Sequence, residues 1–118
     1  MLVVTSDEIP GWEIQGVCGH VVGVTVRPKS AAGINRMAGL SLDMSNLNAN
    51  LAHARNQAIG GLIEEARKRG GNAIVAMRFE TIELNEKLDE ICTYGTAVQA
   101  VPVTAAAKQT AKQFGYEL

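Results

Sequence analysis

The stretch "IPGWEIQGVCGHVVGVTVRP", Ile9 to Pro28, sets the architecture expected of this chain. Pro10-Gly11 punctuates a turn. From Trp12 to Arg27 the residues then alternate over a length that only a strand supports. Ile14, Gly16, Cys18, His20, Val22, Val24 and Val26 fall on one face of a regular strand. Glu13, Gln15, Val17, Gly19, Val21, Gly23, Thr25 and Arg27 fall on the other. Glycines at 16, 19 and 23 predict a bend or bulge along the way, and Pro28 ends the element.

Outward from that strand, "LVVTS" (Leu2 to Ser6) is a short β-branched run, expected as a first strand. Residues 29–46 are less regular, with a short helix capped by Ser30 followed by loop-like "SLDMSN". Leu47 to Arg69 has the periodicity of a long helix. Leu47, Leu51, Ala54, Ala58 and Leu62 make its apolar stripe, widened by Ala52, Ile59, Ile63 and Ala66. That arc is broader than one sheet contact requires. Gly60-Gly61 costs the helix about 1 kcal/mol per glycine relative to Ala, which implies close approach by another backbone. Glu64 and Lys68 form an i,i+4 pair, and Gly70-Gly71 stops the helix. "NAIVAMRFETIEL" and "EICTYGTAVQAVPV" alternate again around polar "NEKLD", which predicts an antiparallel hairpin. A helical tail from Thr104 would dock through Ala107, Ala111 and Phe114. The expected fold is α+β: a mainly antiparallel sheet, one long helix packed across it, and a C-terminal helical tail. The domain spans 1–103 and the tail 104–118.

Composition narrows the function classes. Eleven basic and twelve acidic residues nearly cancel, so no basic excess points to nucleic acid. No apolar run approaches the ~20 residues that span a bilayer, and no basic-then-hydrophobic opening reads as a signal peptide. A cytoplasmic protein with two free thiols is expected. Only 4% of residues are aromatic, and much of the apolar share is Ala and Val. Such a core is small and gains from burying more surface in an oligomer.

Five residues stand out as candidate ligands or contacts. On a regular strand Cys18 and His20 would lie about 7 Å apart on one face, and thiol and imidazole suit zinc, copper and nickel. The plainer reading is a buried Cys18 and a His20 near a strand end or pore. In a ring, one such residue per subunit could converge on an axis. Cys92 sits with Tyr94, Thr96 and Val98 and could face Cys18 across the sheet, or be core. His53 lies on the polar side of the helix. Arg55 falls within the apolar arc, where a guanidinium needs a partner. An ion pair with Glu65, Glu80 or Glu83 and an anion contact at a subunit boundary are the two readings. No nucleophile motif or phosphate loop is present, so no enzyme is expected.

Taken together, three segments resemble one family: "IPGWEIQGVCGHVVGVTVR", "AHARNQAIGGLIEEARKRGGNAIVAMRFET" and "YGTAVQAVP" are similar, in order and spacing, to the YbjQ proteins. These are small proteins of unknown function labelled as heavy-metal-binding. The resemblance covers residues 1–103, implies an α+β fold and implies a ring-shaped homo-oligomer, a pentamer. It supplies no ligand set; a heavy-metal ion on Cys18, His20 and Cys92 is the expectation. The alternative is a ring holding a small organic or anionic ligand at its subunit interfaces, with Arg55 as a contact.

Overall fold

The computed structural model describes residues 1–28 and 44–116, with side chains described for 1–27 and 51–116. The elements are β1 (Leu2–Val3), β2 (Trp12–Pro28), α1 (Met44–Lys68), β3 (Ala73–Glu83), β4 (Leu88–Pro102) and α2 (Ala105–Gln113). The expected helix capped by Ser30 lies outside the described residues. Residues 44–46 of the expected loop are already part of α1.

The sheet order is β1-β3-β4-β2. β4 runs antiparallel to both neighbours, and the hairpin β3–β4 forms as expected. β1 pairs with β3 in parallel, Leu2 opposite Ala73, so the sheet is mixed rather than purely antiparallel. β2 and β3, joined through α1, point the same way with antiparallel β4 between them, so the parallel pairing comes from β1 at the far edge.

Two irregularities change the phase of β2. Its register with β4 shifts between Ile14 and Gly16, and again between Val17 and Gly19. Each shift sets two residues against one and flips the faces that follow. Beyond the second bulge, Gly19, Val21, Gly23 and Thr25 face α1 together with Ala97, Gly95, Thr93 and Ile91. A third bulge in β3 leaves Ala76 at φ 55°, in the left-handed region. It is held there by Ala76 N–H donating to Ser6 O (2.9 Å) and Met77 N–H to Val4 O (3.0 Å).

Helix α1 lies directly on this face. Ala58, Leu62 and Ala66 are fully buried and Ala54 nearly so. Leu62 and Ala66 pack on Val21, Ile74 and Ala97, while Ala54 and Ala58 pack on Ile91 and Phe79. Ile59 and Ile63 are half-buried at the flanks and Ala52 is exposed. The glycines make the contact possible. A Cβ on Gly23 would stand 2.0 Å from Ala58 O and 2.7 Å from Leu62 N, both helix backbone. A Cβ on Gly61 would meet Gly23 Cα at 3.7 Å. The backbone approach expected of Gly60-Gly61 is thus made by Gly61, while nothing lies within 4 Å of a Cβ on Gly60. The helix ends as expected on Gly70, in the left-handed region at φ 81°, with Gly71 N–H donating to Ala66 O (2.8 Å). Lys68 pairs with Glu65 at 3.5 Å rather than with Glu64.

The other face carries a second cluster at one end, where Ile9, Ala73, Val75, Val98 and Ala100 are buried under Leu2, Val4 and Trp12. The tail helix docks beside it. Thr104 Oγ1 caps α2 by accepting from Ala107 N–H (3.1 Å), and Ala107 and Ala111 are buried as expected. Phe114 is 55% exposed, and Tyr116 docks in its stead, edge-on to Trp12 with ring centroids 5.2 Å apart.

Gly23→Ala should destabilise the protein by about 3 kcal/mol, the upper range for overpacking, because both obstructing atoms are backbone. Gly60→Ala should stabilise it by about 1 kcal/mol through helix propensity alone. Denaturant unfolding of the two variants checks both signs.

Candidate functional site: the open half of the sheet

Val22, Val24 and Val26 lie on the face away from α1, in the half that the N-terminal cluster does not reach. Their β4 neighbours are Tyr94, Cys92 and Glu90, and the next row on β3 is Arg78, Glu80 and Ile82. Val24 is 51% exposed, Val26 53% and Ile82 44%. Cys92 thus sits mid-row between an exposed valine and the Glu80 backbone. β2, seventeen residues long, is also an edge strand, with one side of its backbone unpaired among the described residues.

The expected ligands separate. Cys18 is the extra residue at the second bulge and packs against the α1-side cluster of Val21, Leu62 and Ile74. His20 stands opposite Thr96 and is exposed on the outer face. Cys18 and His20 therefore point to opposite faces, because the bulge breaks the period of two that placed them together. Cys92 is on the outer face too, so it does not face Cys18 either; both thiols are free. His20 and Cys92 share a face but lie four residues apart along the register. Among the described residues no group of three or more His, Cys, Asp and Glu side chains could hold a metal ion. The described donors of one chain do not come together as a metal centre.

Electrostatics agrees with that. Burial pushes the Cys92 thiol up, and the Glu90 and Glu80 carboxylates push it further. A raised thiol is mostly protonated at neutral pH, and the thiol must lose its proton to ligate. Tyr94 OH reaches Glu80 Oε1 at 3.5 Å, which holds one of these carboxylates on the row.

Arg55 is exposed, not enclosed by the apolar arc, and its guanidinium carbon lies 5.2 Å from the centre of the Phe79 ring. A cation over a ring at an exposed site contributes about 0.5–1 kcal/mol. His53 is exposed, as expected. Reading the sequence missed the carboxylates beside Cys92, although Glu80 and Glu90 were visible in "ETIELNEKLDE". Their adjacency depends on the β3–β4 register.

A small mixed-sheet α+β protein with one helix across the sheet is the class that this fold defines. The chain belongs to the YbjQ family: the family model described as "Putative heavy-metal-binding" matches residues 1–101. It is 43% identical over 106 residues to a UPF0145 protein of Streptomyces avermitilis, covering 86% of each chain. It is 44% identical to a UPF0145 protein of Saccharolobus islandicus, covering 84% of this chain and 90% of that one. Among solved structures, a protein of unknown function from Pediococcus pentosaceus, assigned to the DUF74 family, matches with a TM-score of 0.56 at 19% identity. It covers 84% of this chain and 96% of that one, and supports the fold alone. No helix among the described residues is long and apolar enough to cross a membrane.

Replacing Glu80 and Glu90 together with Gln should lower the Cys92 pKa, because removing nearby negative charge favours the thiolate. Iodoacetamide alkylation of Cys92 at pH 8, followed by peptide mass spectrometry, should then run faster than in the unsubstituted protein. An unchanged rate would contradict the electrostatic account.

Proposed function

We propose that this protein acts as a cytoplasmic, non-enzymatic homo-oligomer whose open sheet half is covered by neighbouring copies, and that any soft metal ion is taken up where Cys92 and His20 of several copies meet. The observation that carries this reading is the exposure of Val24, Val26 and Ile82 on one sheet face, with Cys92 and Glu90 on the strand between them and half-buried Val22 alongside. Large apolar side chains exposed together on one face favour an interaction site. The unpaired edge of β2 favours the same conclusion, since a long edge strand is a template for another chain. So does the shape. The chain measures 54 × 25 × 20 Å with a radius of gyration of 17.6 Å, against about 13 Å for a compact domain of this length.

A shared metal site follows from the same face. One chain offers His20 and Cys92 too far apart to ligate together, but a copy packed on the valine row brings a second thiol near the first. The carboxylates Glu80 and Glu90 add oxygen donors beside it. A five-membered ring is the assembly that family resemblance implies.

Native mass spectrometry of dilute protein tests both parts. Assembly predicts masses at multiples of 12.5 kDa, reduced to the single chain by Val24→Asp. Cadmium titration should show less than one ion per chain, with affinity falling by about tenfold or more in Cys92→Ser and holding in Cys18→Ser. A folded single chain would overturn the assembly, and equal cadmium binding by Cys92→Ser would overturn the metal site alone.

A further inference from the structure

The C-terminal helix builds a groove that the open sheet half does not use. Its floor is Trp12, Val101 and Pro102, one wall is Tyr116, and the other is α2 with Lys108 and Lys112. The cavity is about 660 Å³, within the size range of small-molecule sites, roughly 300–1,000 Å³. We propose that this groove binds an aromatic organic anion, an aryl phosphate or aryl carboxylate, with the ring on the Trp12–Tyr116 side and the anionic group at the two lysines.

The aromatic wall is fixed before any ligand arrives. Tyr116 OH accepts from Leu2 N–H at 2.6 Å and donates to Asn72 O. Asn72 is itself held at both ends of its amide: Nδ2 donates to Ala100 O (2.8 Å), and Oδ1 accepts from Ala100 N–H (2.9 Å). Trp12 meets the Tyr116 ring edge-on at an interplanar angle of 67°. A ligand ring therefore finds an apolar surface that loses little freedom on binding, the condition under which contact area becomes affinity.

The cationic wall is as specific. Lys108 and Lys112 are one helical turn apart on the same side of α2, where like charges repel. Among the described residues no carboxylate pairs with either, and no acidic side chain lines the groove. An anion bridging the two ammonium groups relieves that repulsion and makes charge-assisted hydrogen bonds. A second cavity, about 270 Å³, shares Asn72 and Tyr116 with the groove and carries Arg67. A metal cation is disfavoured by the same charges. Two lysines on a nine-residue helix make too short a track for nucleic acid.

Lys108, Lys112 and Tyr116 all lie beyond residue 101, where the family match ends. The groove thus lies between the family-matched region and the segment after it.

Trp12 is the chain's single tryptophan, so its fluorescence reports on the floor of the groove. Titration of the full-length protein with phenyl phosphate should change Trp12 emission saturably. Inorganic phosphate alone and phenol alone should each bind at least about tenfold more weakly, since each supplies half of the interaction. The Lys108→Glu, Lys112→Glu double variant should lose about tenfold or more in affinity while keeping its circular dichroism and melting temperature. If that variant does not fold, the Lys108→Gln, Lys112→Gln pair carries the same prediction. Emission unmoved at millimolar phenyl phosphate, equal affinity in the folded double variant, or inorganic phosphate binding as tightly as phenyl phosphate would each overturn the proposal.

Discussion

The contact between Gly23 of β2 and the backbone of α1 at Ala58 to Leu62 governs the rest of the molecule. There is no room there for a side chain of any size. The helix can sit this low because its buried stripe is Ala54, Ala58, Leu62 and Ala66, with one large residue among three small ones. The sheet beneath answers with Gly95, whose own Cβ would fall 2.8 Å from an Ile74 methyl. Small residues on both sides bring the layers together. They also limit the apolar area buried, and with it the stabilisation of a lone chain.

That economy has a consequence on the opposite face. The N-terminal segment and α2 cover the end of the sheet near Val98 and Ala100. They leave the end near Val24 and Cys92 open. Among the described residues, exposed apolar side chains and an unpaired strand edge therefore lie together. The proposed assembly uses both. The proposed metal site likewise needs an interface, because within one chain Cys18 and Cys92 lie on opposite faces of the sheet.

Much of the fold was legible in the sequence. The period-two runs located β2, β3 and β4 to within a few residues. The Gly70 stop and Thr104 start of the two helices followed from cap chemistry. What the sequence did not disclose was phase. Alternation places Cys18 with His20 only if every residue of β2 pairs. The three glycines warned of a bulge without saying which residue it would set aside. Once Cys18 became that residue, the expected pair was lost. Arg55 failed for a different reason: its place on the helix wheel was near the stripe, but a long side chain can leave a narrow interface for the nearby Phe79 ring. The parallel pairing of β1 and the docking of Tyr116 rest on contacts between residues more than 70 positions apart, or more than 110 in the case of Tyr116 and Leu2. No local pattern encodes such pairings.

The central claim is that the outer side of β2 is covered by a second copy in solution. Hydrogen–deuterium exchange on peptides spanning Val21 to Arg27 reads this directly, because β4 can protect only alternate amides of that strand. Nearly every amide in the segment should exchange slowly at working concentrations. Rapid exchange of about half of them, at the rate of free chain, would mean that the edge stands open and that the proposed assembly does not form through it.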